Sequence, residues 1–222
     1  MQQGESPVQV EPPKLPYSFR ALEPAMSREM LWLHFARHQR PCFESALALL
    51  SNTPLEGFEL EEFIVRTARI PSQAQLSRLL AGIWNHQMFW GSMRPAGGGT
   101  PKGPVSNLIR RGFGSYDHFV NKFRAAAAGL FGSGWVWLTW NHGDLRIETT
   151  TNSDSPLLDG REVLLALDMW EHAYYLDHQN RRSEYVRTFL EELVDWDFAN
   201  RNLIQAVMRT SGRHAPAIRM RG

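Results

Sequence analysis

Residues 161–179 read REVLLALDMWEHAYYLDHQ, and the fold turns on this stretch. Val163–Leu167 is an unbroken apolar run, which predicts a strand buried on both faces and therefore central in its sheet. Beyond Asp168 the pattern changes to helical. On a continuous strand, Asp168 and His172 would stand about 13 Å apart, too far to share one ion. If the chain turns helical at Met169–Trp170, the two come within roughly 6 Å. A strand-to-helix junction at that point makes them plausible co-ligands.

Upstream, Ser27 is a good N-cap for a helix beginning SREMLWLHFARH. Leu31, His34, His38 and Cys42 recur on one face of it, and Pro41 predicts a kink. SNTP at 51–54 ends this first arm of a hairpin. A short helix is expected over 59–69 and a longer one from Ser72, with Leu79, Ile83, His86 and Trp90 on one face. The first half thus reads as two long antiparallel helices, each placing a histidine on its buried stripe. His34, His86, Asp168 and His172 together make three imidazoles and one carboxylate, a set that suits iron, manganese or zinc rather than calcium or copper(I). Spacing alone leaves open whether the histidines are ligands or hydrogen-bonded core residues.

RPAGGGTPKG at 94–103 is a glycine-proline break. Two short helices follow, near 104–112 and 115–129, and then GWVWLTWN and DLRIETTT, which flank His142-Gly143 as a β-hairpin. The predicted fold is α+β: a long antiparallel helical hairpin, then an α/β domain with a three-stranded antiparallel sheet and flanking helices. Its expected parts are a tail at 1–14, the hairpin at 15–93, a linker at 94–103, the α+β metal-binding domain at 104–209 and a basic tail at 210–222.

Composition narrows the function. The 222 residues are 43% hydrophobic with a net charge of +1, so a real core is expected, with no electrostatic case for nucleic acid or an anionic membrane as partner. The single cysteine, Cys42, excludes internal disulfides, cysteine-only zinc sites and iron–sulfur clusters. No apolar run spans a bilayer and the first residues resemble neither a secretory signal nor a transit peptide, so a soluble cytoplasmic protein is expected. There is no glycine-rich phosphate loop and no G-x-S-x-G elbow.

Several segments, in order, resemble the iron/manganese superoxide dismutases: LPYSFRALEP from residue 15, His34 with His38, WNHQMFW around His86, PAGGGTPKG, FGSYDHF, FGSGWVWL, NSDSP and DMWEHAYYLDHQNRRSEY. The resemblance runs from about Leu15 to Asn202. It implies that His34, His86, Asp168 and His172 hold one iron or manganese ion per subunit, with superoxide as the small-anion substrate. It implies a homodimer, alone or paired into a tetramer, with His38, Glu171, His172 and Tyr175 at the interface. Glu171 is expected to bond the His172 ring of the other subunit, which would fix its tautomer. His38 and Tyr175 line the channel mouth, and Trp135, Trp137 and Trp170 form an aromatic wall. Arg182 attracts the anion or holds the interface, and Asn85 and Tyr17 support.

The sequence also departs from that family. Cys42 stands where a gateway tyrosine is usual; it is read as a small residue leaving a gap, the alternative being a peroxide-sensitive thiol. The glutamine that bonds metal-bound solvent is absent from both of its usual places, here Gly82 and Ser153, although Ser153 could act through a water. Phe35 and Gln39 replace common histidines. PAGGGTPKG and NSDSP look manganese-like, while WNHQMFW fits either metal. Two functions follow: a superoxide dismutase with atypical activity, or a dismutase-like structural or binding protein with weak or lost catalysis.

Overall fold

The structure is a computed structural model, and it describes residues 12–50 and 59–213. The expected turn at 51–54 lies outside the described residues, as does most of the tails expected at 1–14 and 210–222.

Helix α1 (Arg28–Trp32) starts where Ser27 Oγ accepts the Met30 N–H at 3.1 Å. It passes into a π-helical segment, Leu33–Gln39, and then into α2 (Arg40–Leu50). The expected kink at Pro41 therefore takes another form. The helix widens upstream of the proline, and the π register closes with Arg40 N–H bonding to Phe35 C=O, one residue before the ring that has no N–H to give. After α3 (Leu60–Thr67), helix α4 (Ala74–Gly91) packs against α2 to complete the hairpin. Helices α5 (Pro104–Phe113) and α6 (Tyr116–Gly129) follow, α6 being capped by Ser115.

The sheet has three antiparallel strands: β1 (Gly134–Asn141), β2 (Asp144–Thr151) and β3 (Glu162–Asp168). The β1–β2 hairpin turns at His142 and Gly143, both at positive φ, as a tight right-twisting hairpin requires. The spatial order is β2-β1-β3, which corrects the expectation for β3: it is an edge strand, and the tryptophan-rich β1 is central. Its unbroken apolar run has a different cause. Helix α4 and the last helix, α9, pack against β3, and every residue from Val163 to Asp168 is buried. Its outer backbone is taken up by side chains: Ser92 Oγ accepts the Ala166 N–H at 2.9 Å, and Asn202 Nδ2 donates to Leu164 C=O at 3.2 Å. An edge blocked in this way cannot recruit another strand. A short helix α7 (Tyr175–His178), α8 (Arg182–Thr188), a second π segment (Phe189–Leu193) and α9 (Trp196–Arg213) complete the chain.

Trp135 and Trp137 alternate with Val136 and Leu138 on β1, all of them buried. Trp137 is fully buried and donates from Nε1 to Thr150 Oγ1 at 2.9 Å. Trp137→Ala is expected to cost about 3–5 kcal/mol through the cavity it leaves. Urea unfolding checks this as a lower midpoint at unchanged slope.

Candidate metal centre

Four elements from both halves of the chain meet at one point. His34 comes from the π segment, His86 from α4, Asp168 from the end of β3, and His172 from a single 3₁₀ turn, Glu171–Ala173. One ligand atom from each lies within 4.8 Å of all the others. Asp168 Oδ2 is the hub, at 3.2 Å from His172 Nε2, 3.3 Å from His34 Nε2 and 3.5 Å from His86 Nε2. The strand does turn after Asp168, which is why residues four apart in sequence meet.

Two of the four ligand atoms, on His86 and Asp168, are prepared by a neighbour. His86 Nδ1 lies 2.6 Å from Gly82 C=O and donates to it, which leaves Nε2 with its lone pair toward Asp168. Asp168 Oδ1 accepts the Trp170 N–H at 2.9 Å, which leaves Oδ2 for the centre. His34 Nε2 and His86 Nε2 are buried without a hydrogen-bond partner among the described residues. Unprotonated imidazole nitrogens crowded on a carboxylate oxygen repel one another unless a cation lies between them. The residues present therefore fit a mononuclear ion with N₃O protein ligation.

The electrostatics agree. Burial pushes the His86 imidazole down to about 3, assisted by His34. Burial and then His172 push His38 down to about 4. Burial also lowers His34. Burial alone would raise the Asp168 carboxyl, but the His172 and His34 rings outweigh it and hold it below the usual carboxylate range. At neutral pH these groups are neutral imidazoles around an ionised carboxylate, the protonation states that metal binding requires.

The surroundings are aromatic. Trp135 lies edge-on to His86 with ring centroids 5.1 Å apart, and Trp170 stacks near His172 at 5.5 Å. Both indoles donate to Asn152 C=O, at 2.9 and 3.2 Å. Trp137 stands one layer back, stacked on Trp135. The closest indole is Trp90, 4.7 Å from His34 and a residue the sequence reading placed only on a helix face. Its signal was its position one turn after His86. Tyr17 donates from Oη to Trp90 C=O at 3.1 Å, and Asn85 donates from Nδ2 to Ser153 C=O at 3.2 Å.

Among the other expected residues, His38 stacks on His172 with centroids 3.8 Å apart. Cys42 and Ser153 line one cavity beside the centre, and burial pushes the Cys42 thiol up, away from the reactive thiolate. Glu171 and Tyr175 border a groove with Leu33, Arg37 and Leu176, and both are exposed. Arg182 Nη2 donates to Gly132 C=O at 3.2 Å.

Comparison with known proteins adds an independent line. The sequence model for the alpha-hairpin domain of iron/manganese superoxide dismutases matches residues 9–94, and that for their C-terminal domain matches residues 101–202. The superoxide dismutase [Fe] of Synechococcus elongatus is 42% identical over 197 residues, covering 89% of this chain and 98% of that protein. The superoxide dismutase [Mn] of Listeria innocua is 43% identical over 194 residues, covering 86% and 96%. Superoxide dismutase [Fe] 1, chloroplastic, of Arabidopsis thaliana is 41% identical over 194 residues, covering 87% and 91%.

Proposed function

The chain belongs to the iron/manganese superoxide dismutase family, and from that premise we propose that it converts two superoxide ions and two protons into dioxygen and hydrogen peroxide, with one iron or manganese ion held by His34, His86, Asp168 and His172. The observation that carries this reading is the meeting of four ligand atoms within 4.8 Å in a buried, aromatic-walled site. Bound iron or manganese supplies the one-electron oxidation and reduction that the two superoxide ions need, a role closed to zinc.

The protein supplies the rest. Gly82 C=O and the Trp170 N–H fix His86 and Asp168, so their ligand atoms do not reorganise during turnover. Trp135 and Trp170 keep bulk water from the ligands. His38 lines the cavities on both sides of the centre and is neutral at pH 7. It can accept a proton at one ring nitrogen while donating from the other, which suits it to pass protons toward the product peroxide.

The reading includes a homodimer. Glu171, Tyr175, Leu33 and Leu176 expose charge and apolar surface around the groove that leads to His172. A second copy covering it brings Glu171 to the His172 ring of the partner subunit. The hairpin at 15–93 and the α+β part at 104–209 act as the two domains, joined through 94–103. Among the described residues no helix is long and apolar enough to cross a membrane, and the cytoplasm is the proposed location.

One observation favours a second reading. The site keeps a gap at Cys42, Gly82 and Ser153, where family resemblance places bulkier groups, and this fits a chain that binds metal with weakened catalysis. Purification under separate iron and manganese supply, metal counting and dismutation assays on the same samples decide between the two. The expected result is one ion per chain with activity in at least one form, and His86→Ala losing activity by about 100-fold or more through loss of the ion. One ion without activity favours the second reading, and protein that takes up neither metal overturns the dismutase reading and leaves a dismutase-like structural or binding protein.

A further inference from the structure

The cavity on the Cys42 side of the centre encloses about 300 Å³. That is roughly ten times the volume of one water, and a diatomic anion needs little of it. It reaches the lower end of the range for sites that take organic ligands, which are apolar clefts with a few placed polar groups. Leu79, Ile83, Trp135 and Trp170 supply its apolar walls. Its floor is open at Gly82, where an added Cβ meets nothing within 4 Å.

His38, His86, His172, Gln75, Asn152 and Ser153 also border it, and two further polar features bear on what it can hold. Gln39 is fully buried, and its Oε1 accepts the Trp90 Nε1–H at 2.8 Å. That bond fixes the amide with its NH₂ as the free end, and Nε2 has no partner among the described residues. A buried unsatisfied donor costs about 1–3 kcal/mol, so the site favours an occupant that brings an acceptor. Arg78 lies exposed at the rim, one helical turn before Gly82, and among the described residues no aspartate or glutamate lines the cavity. The one carboxylate nearby, Asp168, lies behind His86 and is shared among three imidazoles.

We propose that this cavity is a binding site for a small organic monocarboxylate with a flat apolar body. The carboxylate accepts from Gln39 Nε2, the body lies against Ile83 and Trp135, and Arg78 attracts the anion at the entrance. Binding itself needs no metal. A consequence that rests on the dismutase reading is that such an acid blocks the approach to the centre and inhibits in competition with superoxide.

Benzoate, acetate and benzamide serve as probes, followed by tryptophan fluorescence and calorimetry on both metal-free and metal-loaded protein. Benzoate is expected to bind the metal-free protein about tenfold more tightly than acetate, through burial of its ring, and more tightly than benzamide, through its charge. Gly82→Leu fills the floor and is compatible with the helix, since leucine is the better helix former. It is expected to weaken benzoate by about tenfold or more while changing acetate by less than about twofold. Arg78→Ala, an exposed change, is expected to weaken benzoate about threefold and leave benzamide unaltered. Absence of saturable benzoate binding below about 50 mM overturns the proposal. So does equal binding of benzoate and acetate seen only with metal present, which is simple ligation of the ion. Benzoate binding that survives in protein unable to load metal upholds the site while removing the dismutase reading, so the two fail separately.

Discussion

Asp168→Asn is expected to abolish stoichiometric metal binding and to cut dismutation by about 100-fold or more, while leaving the chain folded. The substitution keeps the shape of the side chain and the Oδ1 that accepts the Trp170 N–H, so the turn from β3 into the Glu171–Ala173 segment survives. What it removes is the charge at Oδ2, the atom within 3.2 to 3.5 Å of all three imidazole Nε2 atoms. Burial holds His34 and His86 neutral at pH 7, and Asp168 is the one carboxylate among the four candidate ligands. An amide in its place offers a weaker oxygen donor and points an NH₂ at nitrogens already crowded together. Metal analysis of purified protein, with circular dichroism as the folding check, tests this. Retention of one ion per chain in Asp168→Asn would remove Asp168 from the ligand set.

Much of this arrangement is legible in the sequence because helical spacing is local information. Leu31, His34 and His38 share a face, as do Ile83, His86 and Trp90, whatever the rest of the chain does. The junction after Asp168 is legible for the same reason, since a strand pattern there gives way to a helical one within three residues. Other features depend on partners far along the chain. Spacings of three and four residues fit a π segment as well as an α-helix, so the register over Leu33–Gln39 left no mark. The edge position of β3 is hidden because helices on its flanks bury a strand as fully as neighbouring strands do. Its blocking groups, Ser92 and Asn202, lie 74 and 38 residues away from the backbone they satisfy. The orientation of Gln39 is set by Trp90, 51 residues on, and no local pattern announces that contact. Convergence of the four candidate ligands belongs to the same class; resemblance supplied it, and spacing alone could not.

Removing the metal is expected to make the protein acid-labile well above the pH at which carboxylates titrate. In the metal-free fold, burial holds His86 down to about 3 and His38 to about 4, whereas an unfolded chain titrates them near 6.5. Below 6.5 the unfolded state therefore binds more protons than the folded state, and stability falls as pH falls. For His86 alone the loss is about 1.4 kcal/mol per pH unit between 6.5 and its folded-state value. Asp168 works in the opposite sense: its lowered value adds stability above the normal carboxylate range, and that contribution is lost only at still lower pH. Between pH 6.5 and 4 the histidines therefore set the slope. A bound ion stabilises the folded state by about 4 kcal/mol at a free concentration 1,000 times its dissociation constant, which for a chain of this size raises the melting temperature by roughly 8–16 °C. Protons compete with the ion for the same nitrogens, so this advantage narrows on acidification. Calorimetric melting of metal-free and metal-loaded protein from pH 7.5 to 4.5 should show two curves that both descend and approach each other. A melting temperature of the metal-free form that stays level from pH 7 to pH 5 would mean that these imidazoles are not held neutral by burial, and the case for a preformed, ligand-ready site would fall with it.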